Sequence, residues 1–138
     1  MTQIHATAVA IGGRAVLLLA PPGGGKSDLA LRLIDRGAVL VSDDQVELSL
    51  SEGRLIAAAP ATIAGRLEAR GVGIVEMTHI SPMPVSLLID LADLPERMPE
   101  PRVRALLGVE VPVVALAPFQ ASAPMKVEWA LHTFGLGS

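Results

Sequence analysis

Three glycines followed by a lysine and a serine stand in residues 20–27, APPGGGKS, of this 138-residue chain. This spacing fits a phosphate-binding loop (P-loop), with alanine in the place of the first glycine. Glycines let consecutive backbone N–H groups turn towards one anion, and the helix that follows presents its positive end. In such a loop Lys26 would reach the β- and γ-phosphates, and Ser27 would give its hydroxyl to Mg²⁺. The alternative is a glycine-rich turn that only joins a strand to a helix.

The segments on either side of the glycines favour the phosphate loop. Residues 14–20 are almost entirely apolar, as expected of a strand covered on both faces. Residues 27–36 have apolar side chains at four-residue spacing, and Gly37 stands where a helix C-cap belongs. Anion binding requires this order of strand, loop and helix. The residues predicted to bind the nucleotide are Pro22, Gly23, Gly24, Gly25, Lys26, Ser27 and Asp28.

Two adjacent carboxylates, Asp43 and Asp44, end the next apolar segment, AVLVSDD. The carboxyl ends of parallel strands face the ligand crevice of an open α/β sheet. One of the pair could therefore meet Mg²⁺ or accept a proton from an attacking hydroxyl. The alternative is an acidic pair that caps a turn in solvent. His5 is expected in the first strand, and neither His79 nor His132 has metal-ligand spacing with it, so no zinc site is expected.

The rest of the chain predicts mainly strands and a closing helix. Residues 3–11 and 14–20 predict a hairpin around Gly12-Gly13, and residues 46–60 predict another around Glu52-Gly53. The other expected elements are a short helix at 61–69, strands at 71–77, 84–91 and 111–118, a loop at 93–104 and a helix at 122–134. This order predicts one α/β domain over residues 1–138, with helices on a mixed sheet.

Composition excludes several classes of function. The chain has no cysteine, a net charge of −3 and no apolar run of the ~20 residues that a membrane helix needs. It has no basic footprint for nucleic acid, and its first residues lack the pattern of a signal peptide. We expect a cytoplasmic enzyme that binds neither nucleic acid nor membranes.

Four features, in this order, resemble the catalytic domain of the HPr kinase/phosphorylase family. They are His5, 21 positions before Lys26, then the P-loop, the aspartate pair, and LEARGVGIVEM at residues 67–77, where the family has a Glu-x-Arg-Gly-x-Gly-Ile run. Enzymes of this family use a P-loop to phosphorylate a serine of the phosphocarrier protein HPr, and can reverse the reaction with inorganic phosphate. The likeness extends from about residue 4 to residue 78.

The resemblance implies an α/β P-loop nucleotide-binding domain of the phosphoenolpyruvate-carboxykinase-like kind. It implies an ATP-dependent protein-serine kinase that acts on an HPr-like phosphocarrier, with ATP and Mg²⁺ as cofactors. By the same resemblance Ser27 and Glu68 hold Mg²⁺, Asp43 is the general base, and Asp44 supports it at the metal side. The family also implies a homo-oligomer, specifically a hexamer.

Two further roles follow from the resemblance alone. His5 would lie near Asp43 and help to keep it charged, and Arg70 would steady developing charge on the phosphate. Outside the family's Glu-x-Arg-Gly pattern, residues 68–71 could instead be a helix C-terminus followed by a strand.

The sequence also departs from the family. Larger members carry an additional N-terminal domain, so the chain is expected to be a short form that holds the catalytic domain only. The family's C-terminal loop has a Pro-Gly-Arg-Asn stretch with a catalytic arginine, whereas residues 116–131 read LAPFQASAPMKVEWAL. Two other functions therefore stay open: a P-loop kinase for a small molecule, with Arg97, Arg102 and Arg104 in its lid, and a nucleotide-binding regulator without catalysis.

Overall fold

A computed structural model of the chain describes residues 2–137. The elements are β1 (Thr2–Ile4), β2 (Thr7–Ile11), β3 (Arg14–Leu19), α1 (Lys26–Asp35), β4 (Val39–Ser42), β5 (Val46–Ser51), β6 (Arg54–Ala58), β7 (Arg66–Ala69), β8 (Gly73–Glu76), β9 (Met83–Asp90), β10 (Val103–Leu106), β11 (Val109–Ala115) and α2 (Ala123–Phe134). Across these residues, neither helix is long and apolar enough to cross a membrane.

Within residues 2–137, nine strands form one mixed sheet, and β3 and β9 lie at its centre. The order is β1-β5-β6-β9-β3-β2-β4, and β11 with β10 extends the sheet beside the end of β9. β9 is parallel to β3 and β11 but antiparallel to β6. β7 and β8 form a separate antiparallel ribbon. A mixed sheet with two helices confirms the predicted fold class at this level.

Both faces of β3 are buried, as its apolar sequence predicts. Val16 and Leu18 belong to the core cluster that includes side chains of α1 and α2, whereas Ala15 and Leu17 belong to the cluster on the opposite face. The alternation follows from the two-residue period of a strand. The glycine-rich loop therefore begins at the end of a strand that is buried on both faces.

The predicted helix at 61–69 is wrong. Residues 61–65 form turns, and β7 pairs with β8 from Arg66↔Glu76 to Ala69↔Gly73. Leu67 and Ala69 are buried while Arg66 and Glu68 are exposed, so the burial period is that of a strand. Leu, Glu and Ala favour helices in isolation, but pairing with β8 and burial of Leu67 override that weak preference. The reading of residues 68–71 as a helix C-terminus is wrong for the same reason.

Two other expectations need correction. His5 does not lie in a strand but in the bend between β1 and β2. The loop predicted at 93–104 ends earlier, because β10 begins at Val103 and forms a hairpin with β11. Its two-residue turn has positive φ at Leu107 (49°) and Gly108 (79°). Leucine is rare in that conformation. The hairpin was not predicted because its turn, Leu107-Gly108, is not one of the Asn-Gly or Asp-Gly pairs that usually mark a two-residue turn. The other helices and strands agree with their predicted positions to within a few residues.

Candidate functional site

The glycine-rich turn joins β3 to α1 in a compact loop. The Gly24 N–H donates to the Pro21 carbonyl at 2.9 Å, and Leu29 makes the first helical hydrogen bond, to Gly25, at 3.0 Å. Gly25 has a φ of 94°, and an added Cβ would lie 2.9 Å from Cζ of Phe119. The positive φ favours glycine at this position, and a Cβ there would also displace the exposed ring of Phe119. Among the residues that the structure describes, no side chain caps α1 at Gly25, so the first N–H groups of the helix face the end of the loop without an intrahelical partner.

The ammonium group of Lys26 is held at this loop although its side chain is only 6% exposed. Nζ donates to the Ala20 carbonyl at 2.9 Å and lies 3.9 Å from Oδ1 of Asp44. The aliphatic part of the Lys26 side chain is thus packed, while its ammonium group lies at the end of β3. A positive charge fixed beside a glycine turn can bind an anion.

Asp43 is the most strongly held carboxylate of the site, with 6% exposure. Oδ1 accepts hydrogen bonds from the hydroxyls of Ser27 (2.6 Å) and Thr7 (2.9 Å), and Oδ2 accepts one from the Glu68 N–H (3.0 Å). These three donors come from α1, β2 and β7. One buried side chain therefore links the phosphate loop, the sheet and the β7–β8 ribbon.

Asp44 lies beside Asp43 but faces the cleft, with its side chain 63% exposed. Its φ of 67° is in the left-handed region, and its N–H donates to Oγ1 of Thr7 at 3.1 Å. Thr7 thus bonds both aspartates, and no pattern in the sequence pointed to it. A threonine in a strand is common, and only the sheet pairing of β2 with β4 places it beside the aspartates.

A cleft of about 500 Å³ opens over the phosphate loop, within the size range of small-ligand sites. The loop glycines, Pro22, Lys26, Ser27, Asp28, Asp44, Glu68 and Arg70 all line it. Two of these side chains are cationic and three are anionic. A polyphosphate carries several negative charges, so this lining favours one that arrives with a divalent cation.

The residues of the cleft fit Mg²⁺. Within residues 2–137 no group of three His, Cys, Asp or Glu side chains could hold a metal. Mg²⁺ does not need one, because it binds through one or two carboxylates together with substrate phosphates and water. The Ser27 hydroxyl and the Glu68 carboxylate both line the cleft, and Asp43 fixes the Ser27 hydroxyl and the Glu68 backbone.

The contacts of two predicted site residues, His5 and Asp28, differ from those expected. His5 is exposed in its bend, and within the part of the chain that the structure describes no hydrogen bond or ion pair joins it to Asp43. Thr7, two residues further along, makes that contact instead. Asp28 lines the cleft but forms an ion pair with Arg32 at 2.9 Å. The roles of His5 and Asp28 stay predictions.

A second cavity, of about 280 Å³, lies between the segment 94–102 and β11. It shares no lining residue with the phosphate cleft. Two of the three arginines that could form a lid for a small acceptor instead pair with aspartates near this cavity. Arg102 bonds Asp93 at 3.4 Å and Arg104 bonds Asp90 at 3.1 Å.

Comparison with known proteins gives the family. The model of the HPr serine kinase C-terminal domain matches residues 1–87, which is 87 of the 138 residues. The chain belongs to this family. It is 40% identical over 79 residues to the HPr kinase/phosphorylase of Clostridium botulinum strain Eklund 17B, and 40% identical over 111 residues to that of Thermoanaerobacter sp. strain X514.

These alignments cover 57% and 78% of this chain, but only 26% and 36% of the two relatives. The chain thus spans about a quarter to a third of the curated relatives that it matches. Among solved structures, the Hpr(Ser) kinase/phosphatase from Coxiella burnetii is 29% identical and superposes with a TM-score of 0.82. That match covers 96% of this chain and 89% of the Coxiella chain, so the likeness extends beyond the 87 residues of the family model.

Proposed function

We propose that the cleft binds ATP with Mg²⁺ and that the protein transfers the γ-phosphoryl group to a serine of an HPr-like phosphocarrier. One observation carries the proposal: the Ser27 hydroxyl, at the start of the loop helix, bonds a buried aspartate at the end of the next strand, at 2.6 Å. In P-loop nucleotide-binding proteins the loop hydroxyl and an acidic residue both lie at the metal, so the closeness of Ser27 and Asp43 supports such a site. The names of the relatives supply the acceptor class.

The loop would hold the phosphates and leave the γ-phosphoryl group facing the cleft. Lys26 would exchange its bond to the Ala20 carbonyl for bonds to phosphate oxygens, with little movement of its packed stem. Ser27 and Glu68 would hold Mg²⁺, which when bound neutralises charge on the β- and γ-phosphates. Arg70, exposed at the rim of the cleft, would contact the transferred group.

Asp43 is proposed as the proton acceptor. As the serine oxygen forms its bond to the γ-phosphorus, the bond from that phosphorus to the bridging oxygen of ADP breaks, and the hydroxyl proton passes to a carboxylate. Asp43 is only 6% exposed and is not among the residues that line the cleft, and its Oδ1 already accepts two hydrogen bonds, so it would meet the serine hydroxyl once one of these donors is exchanged. Ser27 is the one that can be exchanged, because it lines the cleft whereas Thr7 is fully buried. The carboxylate would then stay oriented by Thr7 and by the Glu68 N–H.

Asp44 would act beside the metal and next to Lys26. Its side chain faces the cleft and lies 3.9 Å from Nζ of Lys26, so it balances the lysine charge while the phosphates are absent. His5 is proposed, by resemblance only, to act on Asp43, and a hydrogen bond between them would require movement of the bend that holds it.

The reverse reaction would use the same cleft. The relatives are named phosphorylase or phosphatase as well as kinase. Phosphorolysis would need inorganic phosphate to occupy the position of the γ-phosphoryl group, beside Lys26 and Arg70. Residues 116–122 contain no arginine, whereas the family has a catalytic arginine in the corresponding loop. We therefore expect this direction to be slower than phosphorylation. A homo-oligomer, hexameric by resemblance, belongs to the same proposal, and light scattering of the purified protein would test it.

Measuring ATP turnover with and without an HPr-like protein separates the candidate functions. We expect ADP release that depends on both Mg²⁺ and the HPr-like protein. Turnover that requires a small acceptor, and not the protein, would identify a small-molecule kinase. Tight ATP binding without transfer to any HPr-like protein would identify a regulator.

A further inference from the structure

An exposed aromatic side chain lies directly against the phosphate loop. Phe119 is 70% exposed, and its Cζ and Cε1 atoms are 2.9 and 3.0 Å from the position that a Cβ on Gly25 would occupy. The ring therefore packs on a backbone that only glycine allows at this distance. Of the three aromatic residues in the sequence, Phe119 alone lines the cleft within the described residues.

The segment that carries Phe119 is fixed on both sides of the ring. The guanidinium of Arg32, on α1, donates to the carbonyl of Pro118 and, at 3.1 Å, to that of Gln120. Lys126 donates to Oε1 of Gln120 at 2.8 Å. The loop is thus tied to the helix that begins at the phosphate loop. Backbone held in this way loses little conformational freedom when a ligand covers the ring that it carries.

Two aliphatic side chains line the same cleft as the ring. Leu31 lies one turn along α1 from Ser27, and Val72 lies in the turn of the β7–β8 ribbon. Together with Phe119 they give the cleft an apolar part next to its charged part. Phosphates cannot use such a surface, whereas the flat face of a nucleobase can stack on an aromatic ring.

We propose that Phe119 is the stacking platform for the nucleobase of the bound nucleotide, with Leu31 and Val72 completing the apolar part of the site. The proposal rests on the proposed function, because it requires that a nucleotide occupy the cleft. It makes Phe119 a determinant of affinity for the base, separate from the groups that bind the phosphates.

The test compares two ligands that share the phosphates and differ in the base. Dissociation constants for ATP and for inorganic tripolyphosphate, each with Mg²⁺, are measured by calorimetry for the wild type and for Phe119→Ala, Phe119→Leu and Phe119→Trp. Trp129→Ala is the matched control, because Trp129 is 69% exposed and does not line the cleft. Circular dichroism and thermal unfolding check that each variant is folded.

We expect Phe119→Ala to weaken ATP binding about 5- to 150-fold, the range for loss of one base–aromatic stack, and to leave tripolyphosphate binding unchanged. Phe119→Leu should resemble Phe119→Ala, Phe119→Trp should retain ATP affinity, and Trp129→Ala should match the wild type. Equal ATP affinity in Phe119→Ala and the wild type would overturn the proposal. Equal weakening of both ligands would also overturn it, by assigning Phe119 to the shape of the loop.

Failure of the proposed function would look different. In that case the wild type itself would bind neither ATP nor tripolyphosphate. A Phe119→Ala variant with unchanged ATP binding but slower transfer to an HPr-like protein would assign the ring to the acceptor and would contradict base stacking.

Discussion

The two parts of the chain contribute very differently to the cleft. Residues 2–80 supply every charged lining side chain and the hydroxyl of Ser27, whereas residues 81–137 supply, among the lining residues, only Phe119. The second part instead provides the central strand β9, the edge hairpin β10–β11 and helix α2. Phosphate chemistry needs charged groups in fixed places, which leave a motif in the sequence. A flat apolar contact such as that of Phe119 can be supplied by many sequences, so it leaves no recognisable motif.

Loss of the loop lysine should have the largest effect. Lys26→Met keeps the packed stem and removes the charge on the phosphates, so phosphoryl transfer should fall by more than about 10³-fold while the protein stays folded. Transfer rates and thermal unfolding would be measured together. Arg97→Met removes an exposed cation from the second part and should change neither. A folded Lys26→Met variant with near wild-type transfer would remove the phosphate loop from the mechanism.

The next effect separates the two aspartates of the first part. Asp43→Asn removes the proposed proton acceptor, so transfer should fall by about 10²- to 10⁴-fold. Asp44→Asn should lower the rate less and should weaken nucleotide binding that depends on Mg²⁺. Single-turnover rates and ATP affinity with and without Mg²⁺ distinguish the two variants. A larger rate loss in Asp44→Asn would transfer the role of base to Asp44, which already faces the cleft.

A smaller effect is expected at the proposed metal ligand of the ribbon. Glu68→Gln replaces a carboxylate by an amide, a poorer ligand for a hard cation, and should weaken Mg²⁺-dependent ATP binding about tenfold. Binding without Mg²⁺ should change little. Glu76→Gln, on β8 of the same ribbon, is the matched control because Glu76 does not line the cleft. Equal losses with and without Mg²⁺ would exclude Glu68 from the metal site.

The smallest effect concerns stability in the second part. Burial alone would raise the pKa of Asp90, but bonds from the Ala92 and Asp93 N–H groups and from Arg104 outweigh it and lower that pKa below its usual value. A lowered folded-state pKa stabilises the protein above the unfolded-state pKa, and this contribution is lost as pH falls through the folded-state value. Asp90→Asn keeps an oxygen for the two backbone N–H groups but loses the charge that faces the half-exposed Arg104, so it should lower the free energy of unfolding by at most about 1 kcal/mol at neutral pH, and by less in acid.

Denaturant unfolding at several pH values checks this expectation. Phosphoryl transfer by folded Asp90→Asn protein should equal that of the wild type, because Asp90 does not line the phosphate cleft. A loss of stability that is the same at neutral and acid pH would show that the charge of Asp90 is not its cause.

The sequence predicted the sheet, both long helices and the loop because their signals are local. The apolar run of β3, the glycines and the four-residue spacing of α1 all lie within residues 14–36. The errors come from contacts between distant residues. β7 is a strand because it pairs with β8, and Thr7 meets Asp43 across a separation of 36 residues. Phe119 contacts Gly25 from a loop that is distant in the sequence and that Arg32 ties to α1.

Transfer of labelled phosphate from [γ-³²P]ATP to an HPr-like protein, followed by mapping of the modified residue, tests the proposed reaction itself. We expect Mg²⁺-dependent labelling of one serine by the wild type, strong loss of labelling with Asp43→Asn, and none detectable with Lys26→Met. We also expect no labelling when that serine is replaced by alanine. Wild-type protein that binds ATP with Mg²⁺ but labels no serine of any HPr-like protein would not be a protein-serine kinase of this class.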